Sequence, residues 1–249
     1  MKETPFTAAE FEESFEDPEP FSIEDEKFDH IYPAEIRQLS SLFWTPVAVA
    51  AEAARLLIAE SDPASVGSGE ATLRVLDIGC GPGKFCLIAA SLSNARFTGV
   101  EQRAELVATA RNAAATLGLQ EVEFLHANVT DVDFAGYDAF YLFNPFEENM
   151  HGYKIDAAVP LSPELFKRYT RYVSDQLGAR PFGTRVVTYM GYAEDIPACY
   201  DCEATRFGDD LKLWVKNREH DPEIERLGLR PPRSYRGSAG WAPPRRAGH

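Results

Sequence analysis

The run Val75-Leu76-Asp77-Ile78-Gly79-Cys80-Gly81-Pro82-Gly83-Lys84-Phe85 decides the fold. Leu73, Val75, Leu76 and Ile78 form the short apolar run of a strand buried on both faces, as in a parallel sheet. Three glycines at alternate positions follow, and Phe85-Cys86-Leu87-Ile88-Ala89-Ala90 then reads as a helix. Glycine lets the backbone turn sharply from strand to helix and lets a ligand approach without meeting a Cβ. The helix start adds N–H groups and a positive dipole end, and Pro82 suits the first helical turn, where its missing N–H costs nothing. The stretch predicts a nucleotide-type pocket at the carboxyl end of a first strand.

The spacing narrows the ligand. The dinucleotide fingerprint G-x-G-x-x-G needs a small residue at its sixth position, which here is Lys84. Lys84 and Asp77 therefore argue against a nicotinamide-dependent oxidoreductase. Asp77 lies in an otherwise apolar strand, and burying a carboxylate costs several kcal/mol unless it meets a cation or donors. The ammonium of an amino acid would serve. With Asp77 followed by Gly79, Gly81 and Gly83, the stretch resembles motif I of class I S-adenosylmethionine (SAM)-dependent methyltransferases. That resemblance implies a seven-stranded, Rossmann-like α/β fold and SAM as cofactor.

Composition sets the wider limits. With 249 residues the chain can bury one good core, and one domain with extensions is the simplest reading. No apolar run approaches the roughly 20 residues of a membrane span, and the acidic N-terminus is not that of a signal peptide, so a cytoplasmic location without membrane contact is expected. Cys80, Cys86, Cys199 and Cys202 do not suggest a disulfide framework. Cys199-x-x-Cys202 has no second pair or His cluster to complete a zinc site, so no metal is expected. The net charge is −14, and residues 1–30 hold eleven acids against Lys2 and Lys27. From Arg218 onward, seven arginines face four acids. An acidic protein repels nucleic acid over most of its surface, although a basic tail can still reach a phosphate backbone.

Along the chain, residues 1–32 mix acids with Phe6, Phe11, Phe15, Phe21 and Phe28, the composition of a mobile arm or of a segment that orders on a partner. A short helix is expected from Pro33, and Thr45-Pro46 reads as an N-cap with an N1 proline opening a helix to Ile58. Residues 61–70 read as a loop. Strands are expected at about 73–79, 96–102, 122–127, 137–143 and 185–190, with helices near 83–92, 104–117 and 163–177 between them. A terminal hairpin, 199–207 with 211–216, closes the domain. Such alternation means a parallel sheet with helices on both faces, here with one antiparallel strand added by the hairpin. The expected division is an arm over 1–32, a methyltransferase domain over 33–217 and a disordered Pro/Arg-rich tail over 218–249.

In an open α/β sheet, ligands bind outside the carboxyl ends of the strands at the switch point. Strand two ends at Glu101-Gln102, about 20 residues past the glycines, where a carboxylate accepts both hydroxyls of a ribose. The resemblance gives Glu101 that role, with Gln102 beside it. Strand three ends at Asn128-Val129, where many relatives place an aspartate that accepts from the adenine amino group, and Asn128 can accept through its own carbonyl. A turn-forming asparagine is the alternative. Strand four ends at Asn144-Pro145-Phe146, which resembles the Asn/Asp-Pro-Pro-aromatic motif of amino-methylating members with one proline missing. There the amide and a backbone carbonyl grip the target nitrogen, and the aromatic ring stacks on a planar substrate. A similar Asn-x-aromatic stretch occurs in lysine methyltransferases of the Dot1 type. A simple strand-to-loop turn is the alternative.

Phe43-Trp44-Thr45 is a candidate lid over a sulfonium, with buried packing as the other reading. His151 and Tyr153 follow strand four and are placed to line the substrate side. The expected activity is methyl transfer from SAM to a nitrogen of a protein side chain or small molecule, with nucleic acid as a less favoured acceptor. A catalytically inactive SAM-binding regulatory protein is the remaining alternative.

Overall fold

The computed structural model describes residues 25–58, 72–150, 153–191 and 196–227. Its centre is a seven-stranded sheet in the order β3-β2-β1-β4-β5-β7-β6. The strands are β1 (Arg74–Ile78), β2 (Arg96–Glu101), β3 (Val122–His126), β4 (Ala139–Phe143), β5 (Arg185–Tyr189), β6 (Tyr200–Arg206) and β7 (Leu211–Lys216). The first five run parallel, and β7 pairs antiparallel with both β5 and β6. The described helices are α1 (Asp25–Asp29), α2 (Ala34–Arg37), α3 (Ser40–Phe43), α4 (Val47–Ile58), α5 (Lys84–Ser91), α6 (Ala104–Leu117), α7 (Pro163–Gly178) and α8 (Pro222–Leu227). The expected seven-stranded, mostly parallel sheet is present, including the closing antiparallel hairpin.

Strand alternation assigns the two faces of the sheet. On β1, Val75 joins Phe85, Cys86, Leu87 and the alanines of α4 in one core. Leu76 and Ile78 join Phe134, Phe140, Val173 and Trp214 in the other. A strand apolar on both sides is what a sheet covered twice requires. Gly83 lets α5 settle close to the sheet, since a Cβ there would lie 2.5 Å from the Phe124 ring and 3.0 Å from Ala110. The 19-residue stretch Ser40–Ile58 is apolar enough to pass as a membrane span, yet it is broken around Trp44–Pro46, and most of α4 is buried in the core.

The edges of the domain differ from expectation in three places. Residues 25–32, expected as part of a mobile arm, dock onto the core. Phe28 is fully buried, and Lys84, itself buried, pairs with Asp25 at 2.6 Å and Asp29 at 2.7 Å. A buried ammonium has to be paired, so the lysine at the helix start collects two carboxylates from the acidic segment. Thr45 does not cap α4. Its hydroxyl shares a buried 2.9 Å hydrogen bond with the Tyr141 hydroxyl, while the Val47 N–H donates to Asp25 Oδ1 at 2.9 Å. Residues 218–227, expected as disordered tail, are also placed. Asp201 accepts from Asn217 and Arg218, and the His220 ring packs against Gly178. Residues 1–24, the loop over 61–70, His151 and residues 228–249 lie outside the described residues.

Candidate active site

A cleft of about 630 Å³ opens at the carboxyl ends of β1, β2, β3 and β4. That volume is within the range of small-molecule sites. Gly79 and Gly81 come to it from the turn after β1, Glu101 and Gln102 from β2, Asn128 and Val129 from beyond β3, and Asn144, Pro145 and Phe146 from beyond β4. Nine predicted residues therefore share one cavity, although four strand ends supply them.

The turn after β1 is wedged from two sides. At Gly79 (φ 75°) a Cβ would lie 2.6 Å from Pro145 Cβ, so the strand-four turn presses directly on the glycine turn. At Gly81 (φ 55°) a Cβ would lie 2.7 Å from the Trp44 ring. Only glycine combines the left-handed backbone with these approaches. Trp44 is buried, and its indole N–H donates to the Ile36 carbonyl at 2.9 Å. It lines the cleft together with Phe43, so the buried-packing reading describes a ring that also forms part of the wall.

Glu101 is 6% exposed. Its Oε2 accepts from the Gly81 N–H at 3.3 Å and its Oε1 from the Arg103 N–H at 2.8 Å. Burial pushes its carboxyl above the ordinary range, opposed by the N–H donors and the Arg103 charge. These backbone donors do not fill the about four acceptor positions of the carboxylate, which leaves lone pairs for the hydroxyls of a ligand.

Two predicted cofactor residues are not in the cleft wall. Asp77 shares the face of Val75 and lies beneath the turn, 3% exposed, where its Oδ2 accepts from the Cys86 thiol at 3.4 Å. No cation meets it among the described residues, and burial, ahead of the opposing Cys86 bond, raises its pKa to about 7. Gly83 faces Phe124 and Ala110 rather than the cavity. Asn128 is in the wall, but its carbonyl already accepts from the Thr130 N–H (3.1 Å) and Thr130 hydroxyl (2.9 Å). Both acceptor lone pairs are thus engaged in a turn, and its amide donates to the Tyr169 hydroxyl at 2.9 Å. The turn-forming alternative describes this side chain.

Asn144 ends β4 with φ 39°, a conformation asparagine tolerates better than most residues. Its backbone carbonyl accepts from the Glu147 N–H at 3.2 Å, and its side-chain amide makes no hydrogen bond to the described residues. Phe146 packs on Tyr169, with ring centroids 5.4 Å apart.

The sequence reading missed several wall residues. Met190, at φ 52° beyond β5, is a strained non-glycine at the cleft. Arg103 and Glu148 line the cleft and form an ion pair at 2.8 Å. Leu42, Ile155 and Tyr169 also line it, and Tyr153 lies there as expected. Of these, only Arg103 carried a signal, as a basic residue two positions past the strand-two acid.

The family model described as a methyltransferase domain matches residues 70–174. Residues 70–174 are a methyltransferase domain. That span carries β1 to β4 and every residue predicted to hold the cofactor or the acceptor nitrogen, and the sheet order with its antiparallel last hairpin matches the methyltransferase fold. The chain carries this domain over 105 of its 249 residues. It is 50% identical over 58 residues to the 23S rRNA (uracil(1939)-C(5))-methyltransferase RlmD of Edwardsiella ictaluri, a match spanning 23% of this chain and 13% of that protein. An RNA methyltransferase from Salinibacter ruber, solved with S-adenosyl-L-homocysteine, overlays at a TM-score of 0.47 with 22% identity, over 71% of this chain and 95% of that one. TrmN from Thermus thermophilus overlays at 0.47 with 19% identity, over 72% and 51%.

Proposed function

We propose that this methyltransferase is cytoplasmic and transfers a methyl group from SAM to a nitrogen of a protein side chain or small molecule. The observation that carries the reading is the contact between Pro145 and Gly79. It sets the unengaged amide of Asn144 beside the glycine turn, where cofactor and acceptor must meet. When bound, SAM supplies an electrophilic methyl group on its sulfonium. Glu101 accepts from the ribose hydroxyls, and Gly79 and Gly81 allow close backbone approach. With the Asn128 carbonyl taken by Thr130, Ala127 and Val129 on the wall would hold the adenine end by apolar contact. The Asn144 carbonyl accepts from the acceptor N–H and so aims the nitrogen lone pair, Pro145 stiffens the turn, and Phe146 offers its ring to the acceptor.

Charge favours the same acceptors. Glu101, Glu147 and Glu148 face a single arginine, Arg103, around the cleft. That balance suits a cationic cofactor and an amine, and it repels a polyphosphate. Because RlmD is described as acting on rRNA, RNA is the acceptor to test against this reading.

Calorimetric titration with SAM and S-adenosylhomocysteine tests the cofactor geometry. Glu101→Ala removes two charge-assisted hydrogen bonds worth about 1.5–3 kcal/mol each, so affinity falls at least tenfold. Affinity within a factor of two of wild type refutes the ribose assignment. Labelled SAM offered with amine-bearing peptides, small amines and RNA transcripts then tests the acceptor. In single turnover, Asn144→Ala lowers transfer by about 10²-fold with SAM affinity unchanged, the scale of a misplaced reactant. Methylation of RNA alone, or normal turnover in Asn144→Ala, overturns the acceptor reading.

A further inference from the structure

Arg103 is nearly enclosed, its side chain 4% exposed, and it has three carboxylates around it. Its Nη2 donates to Glu148 Oε2 at 2.8 Å and its Nε to Asp156 Oδ1 at 2.9 Å, while Glu101 Oε1 lies 4.0 Å from Nη1. The two acids beyond β4 do further work. Glu148 Oε2 also accepts from the Ile155 N–H at 3.1 Å, and Asp156 Oδ1 accepts from the Ala158 N–H at 2.9 Å. The segment over 153–158, which brings Tyr153 and Ile155 to the cleft wall, is therefore tied back to the end of β2 through one guanidinium.

We propose that Arg103 is a positioning residue that couples occupation of the ribose site at Glu101 to the firmness of the acceptor-side wall at Glu148 and residues 153–158. This rests on the ribose assignment made above. The sign follows from competition for one cation. A guanidinium in a buried site is drawn to every carboxylate in reach, and any drift toward Glu101 lengthens its bonds to Glu148 and Asp156. Ribose hydroxyls donating to Glu101 satisfy that carboxylate, so Arg103 is held by the acids of the acceptor wall alone. Cofactor binding thus tightens the wall before the acceptor arrives, and the same linkage makes an acceptor that presses on this wall raise cofactor affinity.

Hydrogen exchange on the full chain, with and without saturating S-adenosylhomocysteine, reads this directly at the Ile155 and Ala158 amides. In the wild type the ligand slows their exchange by about tenfold, within the usual range of coupling between sites. Arg103→Met keeps its backbone N–H to Glu101 and still binds S-adenosylhomocysteine in calorimetry, but the ligand no longer slows those amides. Arg103→Lys, a point charge without the fork, restores only part of the response. Should Arg103→Met fold poorly, Glu148→Gln with Asp156→Asn removes the tie from the other side and gives the same loss. Failure of the wild type to bind S-adenosylhomocysteine overturns the ribose assignment together with this proposal. Binding with no slowing in the wild type, or with equal slowing in the variants, overturns the coupling alone.

Discussion

Gly81→Ala and Gly118→Ala form a matched pair. Both glycines have left-handed backbones, at φ 55° and 71°, so alanine at either position carries about 1–2 kcal/mol of conformational cost. They differ in surroundings. A Cβ at Gly118 has nothing within 4 Å, whereas one at Gly81 meets two Trp44 ring atoms at 2.7 Å and 2.9 Å. Trp44 cannot retreat freely, because its indole N–H is held by the Ile36 carbonyl and the ring is 6% exposed. Moving it gives up that hydrogen bond, about 0.5–1.5 kcal/mol, and repacks a tight core at a further cost of about 1–3 kcal/mol.

Gly118→Ala is therefore expected to lose about 1–2 kcal/mol, and Gly81→Ala about 3–6 kcal/mol once the indole terms are added. Urea unfolding of both variants measures the difference, with equal m-values required for the comparison. The cleft supplies a second readout, since S-adenosylhomocysteine affinity falls in Gly81→Ala and is unchanged in Gly118→Ala. Pairing Gly81→Ala with Trp44→Leu, which lacks the ring, should recover part of the loss as a favourable coupling energy. Equal destabilisation by the two alanines, or no coupling to Trp44, refutes the claim that the indole is what the second glycine accommodates.

Two further outcomes follow from the buried charges. The pKa of Asp77 rises from 3.8 to about 7 on folding, so the folded protein keeps a proton that the unfolded chain releases between those values. Stability therefore falls as pH rises across that window, by an upper bound of about 4 kcal/mol reached above pH 7. Asp77→Asn flattens this profile and is more stable than wild type at pH 8. A profile with the same slope in the variant refutes the assignment. Asp29→Ala leaves buried Lys84 with only the half-exposed Asp25, so it should destabilise by about 3–5 kcal/mol, and equilibrium unfolding against wild type measures it. A loss below about 1 kcal/mol would put Asp29 among ordinary surface pairs.

What the sequence shows and what it hides divides along a physical line. The apolar runs of β1, β2, β4 and β5 and the helix stop at Gly118 are local signals, and each element falls within a few residues of its expected place. Glu101 is legible because its distance from the glycines is set by one strand–helix–strand unit. Features decided by partners far along the chain are not legible. Thr45 gives up its cap for Tyr141, 96 positions away, and Asp25 takes the cap over. The acids of residues 25–29 read as part of a mobile arm because nothing nearby announces that Lys84, 59 positions from Asp25, is buried and needs them. Arg103 has its partners 45 and 53 positions on. Asn128 is open between two roles in the sequence, and its carbonyl is engaged by a threonine two residues later.

The site shows why so few titratable groups suffice. Methyl transfer from a sulfonium asks mainly for alignment, which can supply up to about 7–11 kcal/mol, while an error of about 1 Å can cost 10²-fold. The chain obtains alignment by wedging. The glycine turn that faces the cleft is held between Trp44, brought by the segment before α4, and Pro145, brought by β4. The same Pro145 follows Asn144, the residue proposed to face the acceptor, so on that proposal both partners of the reaction are referred to one contact between neighbouring strands. Two of the non-glycine residues with left-handed backbone, Asn144 and Met190, stand on the cleft wall. Relaxing either wedge should therefore misalign cofactor and acceptor together, which separates this arrangement from one in which each ligand has an independent seat.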